Sequence, residues 1–495
     1  MSNGNFAYRS LDSYFKLTER RTDLGTEFRA GTASFFTLSY LLLVNPQLLS
    51  DAGVSHDDAV VATALSAAVA CFIVGIFGNL PFGCAPGLGL SSYLSYSLVQ
   101  AGLATLEEAL TACFASGVVL LVVALTGMTT LLMKVVPECV KYGIVVGMGL
   151  LIAMIGMVSV NLIVPDEDTI VGLGNVMGDL TLQLTMLGLI LVATLIYWDV
   201  KGGILLGIAV TAVLQWSITS SWPTDLADIP VFNNNNYIVP TALIDPEKAV
   251  VLWTAVGAFL LICVFDISGV VFGLATLGGL IREGDGQIPG SLWVFLASSA
   301  GTVTAAFFGS TPIICCVETA SGIKEGGRTG LTAIVIGLYF ILALFLSPLF
   351  GAVPNDATAP VLMLVGVMMM AESAKVNWHS MDQALPAFLT AILMPLTYSI
   401  TNGMIFGLLA SFAFYFTTGG AFVDFKNVLT NGCCRGNGTM PRPEYEEISE
   451  EASSETRPLI LQTGTDSESA RMSIEYAKKM LKGSERNVEY GAILY

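Results

Sequence analysis

The chain has 495 residues, 54% hydrophobic and only 12% charged, with a mean hydropathy of +0.71. Soluble domains carry about 25% charged residues, so this is the composition of a polytopic membrane protein. The net charge of −17, with no basic patch, excludes a nucleic-acid binder. No nucleophile constellation, metal cluster or cofactor loop appears, so an enzyme is not expected, and neither is any cofactor or metal.

The first residues, MSNGNFAYRSLDSYFKLTERRTDLG, are polar and charged, so no cleavable signal peptide is expected. Apolar runs then predict spans near 30–49, 59–78, 84–100, 110–133, 143–163, 180–197, 202–219, 250–275, 291–308, 311–323, 329–350, 358–371, 384–399 and 403–418. That is about fourteen. Lysine and arginine test the count independently. The N-terminal segment carries Arg9, Lys16, Arg20, Arg21 and Arg29, and every second connection is basic: Lys134 and Lys141, Lys201, Arg282, Lys324 and Arg328, then Lys375. The other connections carry Asp51, Asp57, Asp58, Glu107, Glu108, Asp166 to Asp168, Asp225, Asp228 and Asp356, with Lys248 the exception. This alternation predicts an even span count and both termini in the cytosol.

Two segments read poorly as ordinary helices. PFGCAPGLGLSSYLSYSLV begins with Pro81, Gly83, Pro86, Gly87 and Gly89; GSTPIICCVETASGIKEGG has Gly309, Pro312, Gly322, Gly326 and Gly327. Short Gly/Pro-interrupted segments at corresponding places in two halves point to a transporter site built on broken helices. They rank third and tenth, seven apart, and an odd offset reverses the second half in the membrane.

Two acids fall at membrane depth: Glu318 in the second of these segments and Asp266 in LLICVFDISGVVFGL. Each costs roughly 2.5–3.5 kcal/mol on insertion scales, which makes a functional role the default reading. Of nine cysteines, Cys71, Cys113, Cys263, Cys315 and Cys316 lie in apolar runs and read as small hydrophobes, while Cys433 and Cys434 follow the last run and are palmitoylation candidates. His56 and His379 read as loop residues far from any cysteine cluster, and Thr397 to Asn402 as a polar kink that packs rather than binds.

Six blocks carry a family resemblance: FFTLSYLLLVNPQLLSDAG (35–53), APGLGLSSY (85–93), GMGLLIAMIGMV (147–158), FDISGVVFGLA (265–275), VETASGIKEGGRTGLTAIVIGLYFILALFLSPLF (317–350) and PAFLTAILMPLTYSITNGMIFGL (386–408). The sequence resembles the AzgA-like adenine, guanine and hypoxanthine permeases, a branch of the nucleobase-cation symporters. The resemblance implies an all-α membrane protein of two inverted seven-span repeats arranged as core and gate domains, with spans 3 and 10 each a short strand plus a half helix. It also implies a nucleobase bound near Asp266 and Glu318, with Ser91, Ser92, Cys316 and Val317 lining the site. A purine presents N–H donors and ring acceptors on one edge, and a buried carboxylate accepts such donors with charge-assisted strength. Low dielectric disfavours the charged carboxylate, so the same two acids are the candidates for proton coupling. The sequence departs from the family at Ser91, where asparagine is typical, at Cys263, at Ile267 to Val270, and at Pro312, Ile313 and Ile314.

The expected division is a cytosolic segment 1–29, repeats 30–249 and 250–420, and a largely disordered cytosolic tail 421–495. The tail holds an acidic-dileucine pattern, Glu455 with Leu459 and Ile460, and tyrosine patterns at Tyr445 to Ile448 and Tyr490 to Ile493. These suggest clathrin-adaptor contacts and residence in the plasma membrane or endosomal and lysosomal membranes. The expected function is secondary active transport of a purine-like nucleobase with a proton; the alternative is another small organic solute or anion on the same fold. Expected partners are that solute, a proton, the bilayer and a second copy of the chain.

Overall fold

In a bilayer every backbone N–H and C=O must be paired within the protein, so apolar runs fold as helices and any non-helical backbone needs dedicated partners. The computed structural model describes residues 11–128, 136–166, 170–219, 222–223, 237–245, 248–282 and 287–417. The chain divides into two compact units, Met1–Phe422 and Val423–Tyr495, and every described residue belongs to the first. Glu455, Leu459, Ile460, Tyr490 and Ile493, Tyr445 to Ile448, and Cys433 and Cys434 lie outside the described residues.

The first apolar run forms α1 (Leu24–Leu38) and α2 (Leu41–Asp51), interrupted at Ser39 and Tyr40. Next come α3 (His56–Ile73), strand β1 (Cys84–Pro86) and α4 (Leu88–Ser92), which runs on as a π-helical stretch, Tyr93–Gln100. Then follow α5 (Leu106–Thr126), α6 (Glu138–Ser159), the hairpin strands β2 (Ile163–Asp166) and β3 (Ile170–Leu173), α7 (Leu180–Tyr197) and α8 (Gly203–Thr219). The second part holds α9 (Ala249–Gly278), α10 (Ser291–Phe308), β4 (Ile313–Cys315), a 3-10 turn Val317–Thr319 and α11 (Ala320–Lys324). It ends with α12 (Gly330–Ala343), α13 (Ser347–Gly351), α14 (Asn355–Met369), α15 (Met381–Thr397) and α16 (Ile400–Thr417). Among the described residues, nine helices are long and apolar enough to cross a membrane.

Local chemistry sets several boundaries. The Asp23 carboxylate caps α1, and Thr105 with Glu108 forms a reciprocal capping box on α5. Ser55 takes the N-cap position of α3, so His56 is the first helical residue rather than part of a loop, which corrects the sequence reading. The β2–β3 hairpin, with Ile163 opposite Leu173, was not anticipated from the apolar runs.

Helix packing falls into two groups. In one, α10 lies against α3 and α5, α12 against α1 and α3, and α9 against α5; in the other, α6 lies against α14 and α15, α15 against α16, and α7 against α8 and α14. Small residues allow close approach: a Cβ on Gly366 would sit 2.5 Å from the Gly149 carbonyl oxygen, and one on Gly75 would sit 2.6 Å from that of Gly330. Polar bonds from α2 and the π-helical stretch reach the second group. Thr358 donates to Gln47, Ser97 to the Tyr398 carbonyl, and the Thr401 hydroxyl to the Tyr93 hydroxyl at 2.7 Å. The Thr397–Asn402 kink is thus a contact between the groups.

Candidate substrate-binding site

The two Gly/Pro-interrupted segments meet. β1 and β4 pair antiparallel, with Cys84 opposite Cys315, Ala85 opposite Ile314 and Pro86 opposite Ile313. The pairing is extended by Gly87 N–H to the Pro312 carbonyl (3.2 Å) and Cys316 N–H to the Gly83 carbonyl (3.0 Å). Side chains complete the accounting: Gly83 N–H donates to Thr319 Oγ1 (3.2 Å) and Ile313 N–H to Thr302 Oγ1 (3.0 Å), while the Ser298 hydroxyl donates to the Ile313 carbonyl. A three-residue strand surrounded by helices survives because α10 supplies hydroxyls where a longer sheet would supply backbone.

From this crossing the α4 segment leads one way and the Val317–Lys324 segment the other. Their environments differ. Ser91 has no exposed surface; its Oγ lies 2.5 Å from Asn45 Oδ1 and 2.7 Å from Thr311 Oγ1. Asn45 in turn donates to Thr63 Oγ1 at 2.8 Å and Ser310 Oγ at 3.3 Å. Ser92 is equally buried and donates back to the Leu88 carbonyl at 2.9 Å. Cys316 is 5% exposed. On the other segment Val317 is 60% exposed and Glu318 partly so.

Among the described residues one side chain hydrogen-bonds the Glu318 carboxylate: the Tyr40 hydroxyl donates to Oε1 at 2.8 Å. The backbone that carries it is held from α1. Thr37 Oγ1 donates to the Glu318 carbonyl at 3.1 Å and lies 2.9 Å from Ser321 Oγ, and Ser34 Oγ donates to the Thr319 carbonyl at 3.4 Å. Gly322 permits that approach, since a Cβ there would fall 2.1 Å from Ser34 Oγ. Asp266 lies on α9, which packs against β4, the Val317–Thr319 turn and α11. It is partly exposed, and its carboxylate takes part in no hydrogen bond or ion pair among the described residues. No hydrogen bond joins it to Glu318.

Tyr40, Asn45 and Thr311 were absent from the sequence reading as site residues. The signal for Tyr40 was present: Ser34, Thr37 and Tyr40 recur every third residue in a mostly apolar run, a spacing that puts neighbours in the series on the same side of a helix. Also missed was Glu27 in the first turn of α1, 1% exposed and set against the N-terminus of α12. It accepts from Arg328 N–H (2.9 Å), Thr329 N–H (3.2 Å), Thr332 N–H (3.2 Å) and Thr332 Oγ1 (2.6 Å), so its charge satisfies orphan amides of that helix N-terminus. Among the described residues no cluster of three or more His, Cys, Asp or Glu side chains could hold a metal ion.

A helical multi-pass membrane protein with two interrupted segments crossing beside an acid has the build of a solute transporter. Its sequence says the same: residues 25–406 match the xanthine/uracil permeases of the Permease family, and the chain belongs to that family. The guanine/hypoxanthine permease PbuO of Bacillus subtilis is 34% identical over 80% of this chain and 92% of its own length. The adenine permease AdeP of Escherichia coli is 34% identical over 81% of this chain and 89% of its own. These relatives are permeases rather than enzymes and place the chain in the purine-permease branch. In fold it is similar to the transmembrane domain of a cyanobacterial bicarbonate transporter, BicA, with a TM-score of 0.58 at 15% identity, covering 78% of this chain and 97% of that one.

Proposed function

We propose that this permease carries a purine nucleobase across the membrane by secondary active transport, with proton symport and alternating access. The observation that carries the reading is the contrast at the strand crossing: two acids at membrane depth, Glu318 and Asp266, remain partly exposed while the surrounding hydroxyls are paired within the protein. A carboxylate without a full set of donors in such a place is expensive, and a ligand edge bearing N–H groups relieves that cost. Relatives named as guanine/hypoxanthine and adenine permeases favour a purine as that ligand.

In this reading Glu318 is the main substrate acid, Asp266 a second contact or coupling site, and Val317 lends its exposed surface to the base. Ser91, Ser92 and Cys316 support the site from within rather than touch the substrate. The chain crosses the membrane fourteen times as two inverted seven-span repeats, with both termini in the cytosol. The two helix groups are the core and gate domains, and the strand crossing belongs to the core. The basic and acidic alternation of the connections and the odd offset of the interrupted segments support this topology. Polar bonds from Gln47, Tyr93 and Ser97 to the second group then form the closed side of the gate.

The test is uptake of labelled adenine, guanine and hypoxanthine into vesicles holding the purified chain, with and without an imposed proton gradient. Accumulation driven by the gradient, and its loss in Glu318→Gln, is the expected result. Uptake that ignores both the gradient and competing bases would replace this reading with a carrier of another organic solute or anion.

A further inference from the structure

Glu318 sits on a short turn, and a side chain there has freedom that a site acid cannot keep. Tyr40 removes it. The tyrosine occupies the break between α1 and α2, 1% exposed, with αR backbone angles (φ −60°, ψ −24°). Its carbonyl accepts from both Leu43 N–H (3.0 Å) and Val44 N–H (2.9 Å), so the residue is pinned from the backbone side as well as by its ring. The phenol has Glu318 Oε1 as its hydrogen-bond partner, and no other side chain hydrogen-bonds that carboxylate among the described residues. If Glu318 turned away, a buried hydroxyl would lose its partner, a penalty that holds the carboxylate where it is.

The same face of α1 fixes the turn itself, through Thr37 on the Glu318 carbonyl and Ser34 on the Thr319 carbonyl. Backbone and carboxylate are therefore held at three positions spaced three residues apart, Ser34 and Thr37 on α1 and Tyr40 in the break that follows it. Oε1 accepts from the phenol, and no side chain among the described residues hydrogen-bonds Oε2.

We propose that Tyr40 is a positioning residue of the permease: it fixes Oε1 of Glu318 and thereby presents Oε2 to an N–H group of the transported base. The proposal rests on Glu318 being the substrate acid, as argued above, and the test separates the two claims. Tyr40→Phe keeps the ring and removes only the donor. In vesicle uptake of adenine and hypoxanthine it should raise KM by roughly tenfold to a hundredfold, the loss of one charge-assisted bond's worth of positioning, with Vmax within about twofold of the unmodified chain. An unchanged KM, or a fall in Vmax alone, overturns the proposal. A variant that fails to accumulate in the membrane also overturns it, by making Tyr40 a packing residue.

A second arm needs no substrate. The rate at which N,N′-dicyclohexylcarbodiimide labels Glu318, read by mass spectrometry, should change at least severalfold in Tyr40→Phe, while the rate at Asp266 stays the same. Equal Glu318 rates in both proteins overturn the role of Tyr40. A changed Glu318 rate in a chain that moves no purine overturns the transport reading and leaves Tyr40 as the residue that positions Glu318.

Discussion

The two segments that cross at β1 and β4 are alike in backbone and opposite in chemistry. Each is a three-residue strand that turns into a short helical piece, and each interrupts an otherwise apolar region with Gly and Pro. The α4 segment turns inward. Ser91 and Ser92 are fully buried, and Ser91 belongs to a chain of hydrogen bonds that runs through Asn45 to Thr63 and Ser310. The Val317–Lys324 segment turns outward: Val317 is 60% exposed, and Glu318 is partly exposed with one donor on its carboxylate. One copy of the motif holds the molecule together, and the other offers an incompletely satisfied acid. Two strand-to-helix segments of similar build thus differ in where their polar side chains find partners.

The sharpest break of this comparison is Glu318→Gln. Purine uptake should fall to background while the protein reaches the membrane and keeps its melting temperature, because the acid makes a single side-chain bond among the described residues; uptake and surface abundance check it together. Asp266→Asn comes next. It should reduce gradient-driven accumulation strongly and leave thermal stability equal or raised, because an acid with no hydrogen bond or ion pair among the described residues contributes cost rather than cohesion. A clear drop in melting temperature would place Asp266 with the structural groups.

Ser91→Ala should show the reverse signature. Removing its hydroxyl leaves Asn45 Oδ1 and Thr311 short of a partner, at about 1–3 kcal/mol, with KM nearly unchanged. A raised KM without loss of stability would move Ser91 into the binding site. Val317→Ala is the smallest change. Its exposure predicts a stability effect within about 0.5 kcal/mol, so any shift in KM reports contact with the base.

Much of this was legible in the chain itself. Apolar runs showed the helices, the positions of Gly and Pro marked both interrupted segments, and the rarity of acids at membrane depth singled out Glu318 and Asp266. His56 was misread as a loop residue because its run begins directly at the Ser55 cap. The partners of the site were not legible in the same way. Tyr40 lies 278 residues from Glu318 in sequence, and Ser91 lies 220 from Thr311. The hydroxyl stripe Ser34, Thr37 and Tyr40 shows a polar face but not what the face meets.

Sequence alone determined that this is a helical membrane protein and where an acid would be costly, because both follow from the price of polar groups in hydrocarbon, which each residue carries with it. It could not decide that Ser91 is buried and paired while Glu318 is partly exposed with one side-chain donor. Hydrogen bonding is a property of pairs: the Glu318 pair forms only when Thr37 and Tyr40 meet a turn almost three hundred residues away, and the Ser91 pairs only when α4 meets Asn45 and Thr311. Tertiary structure paired the serine within the protein and left the glutamate with a single side-chain partner among the described residues.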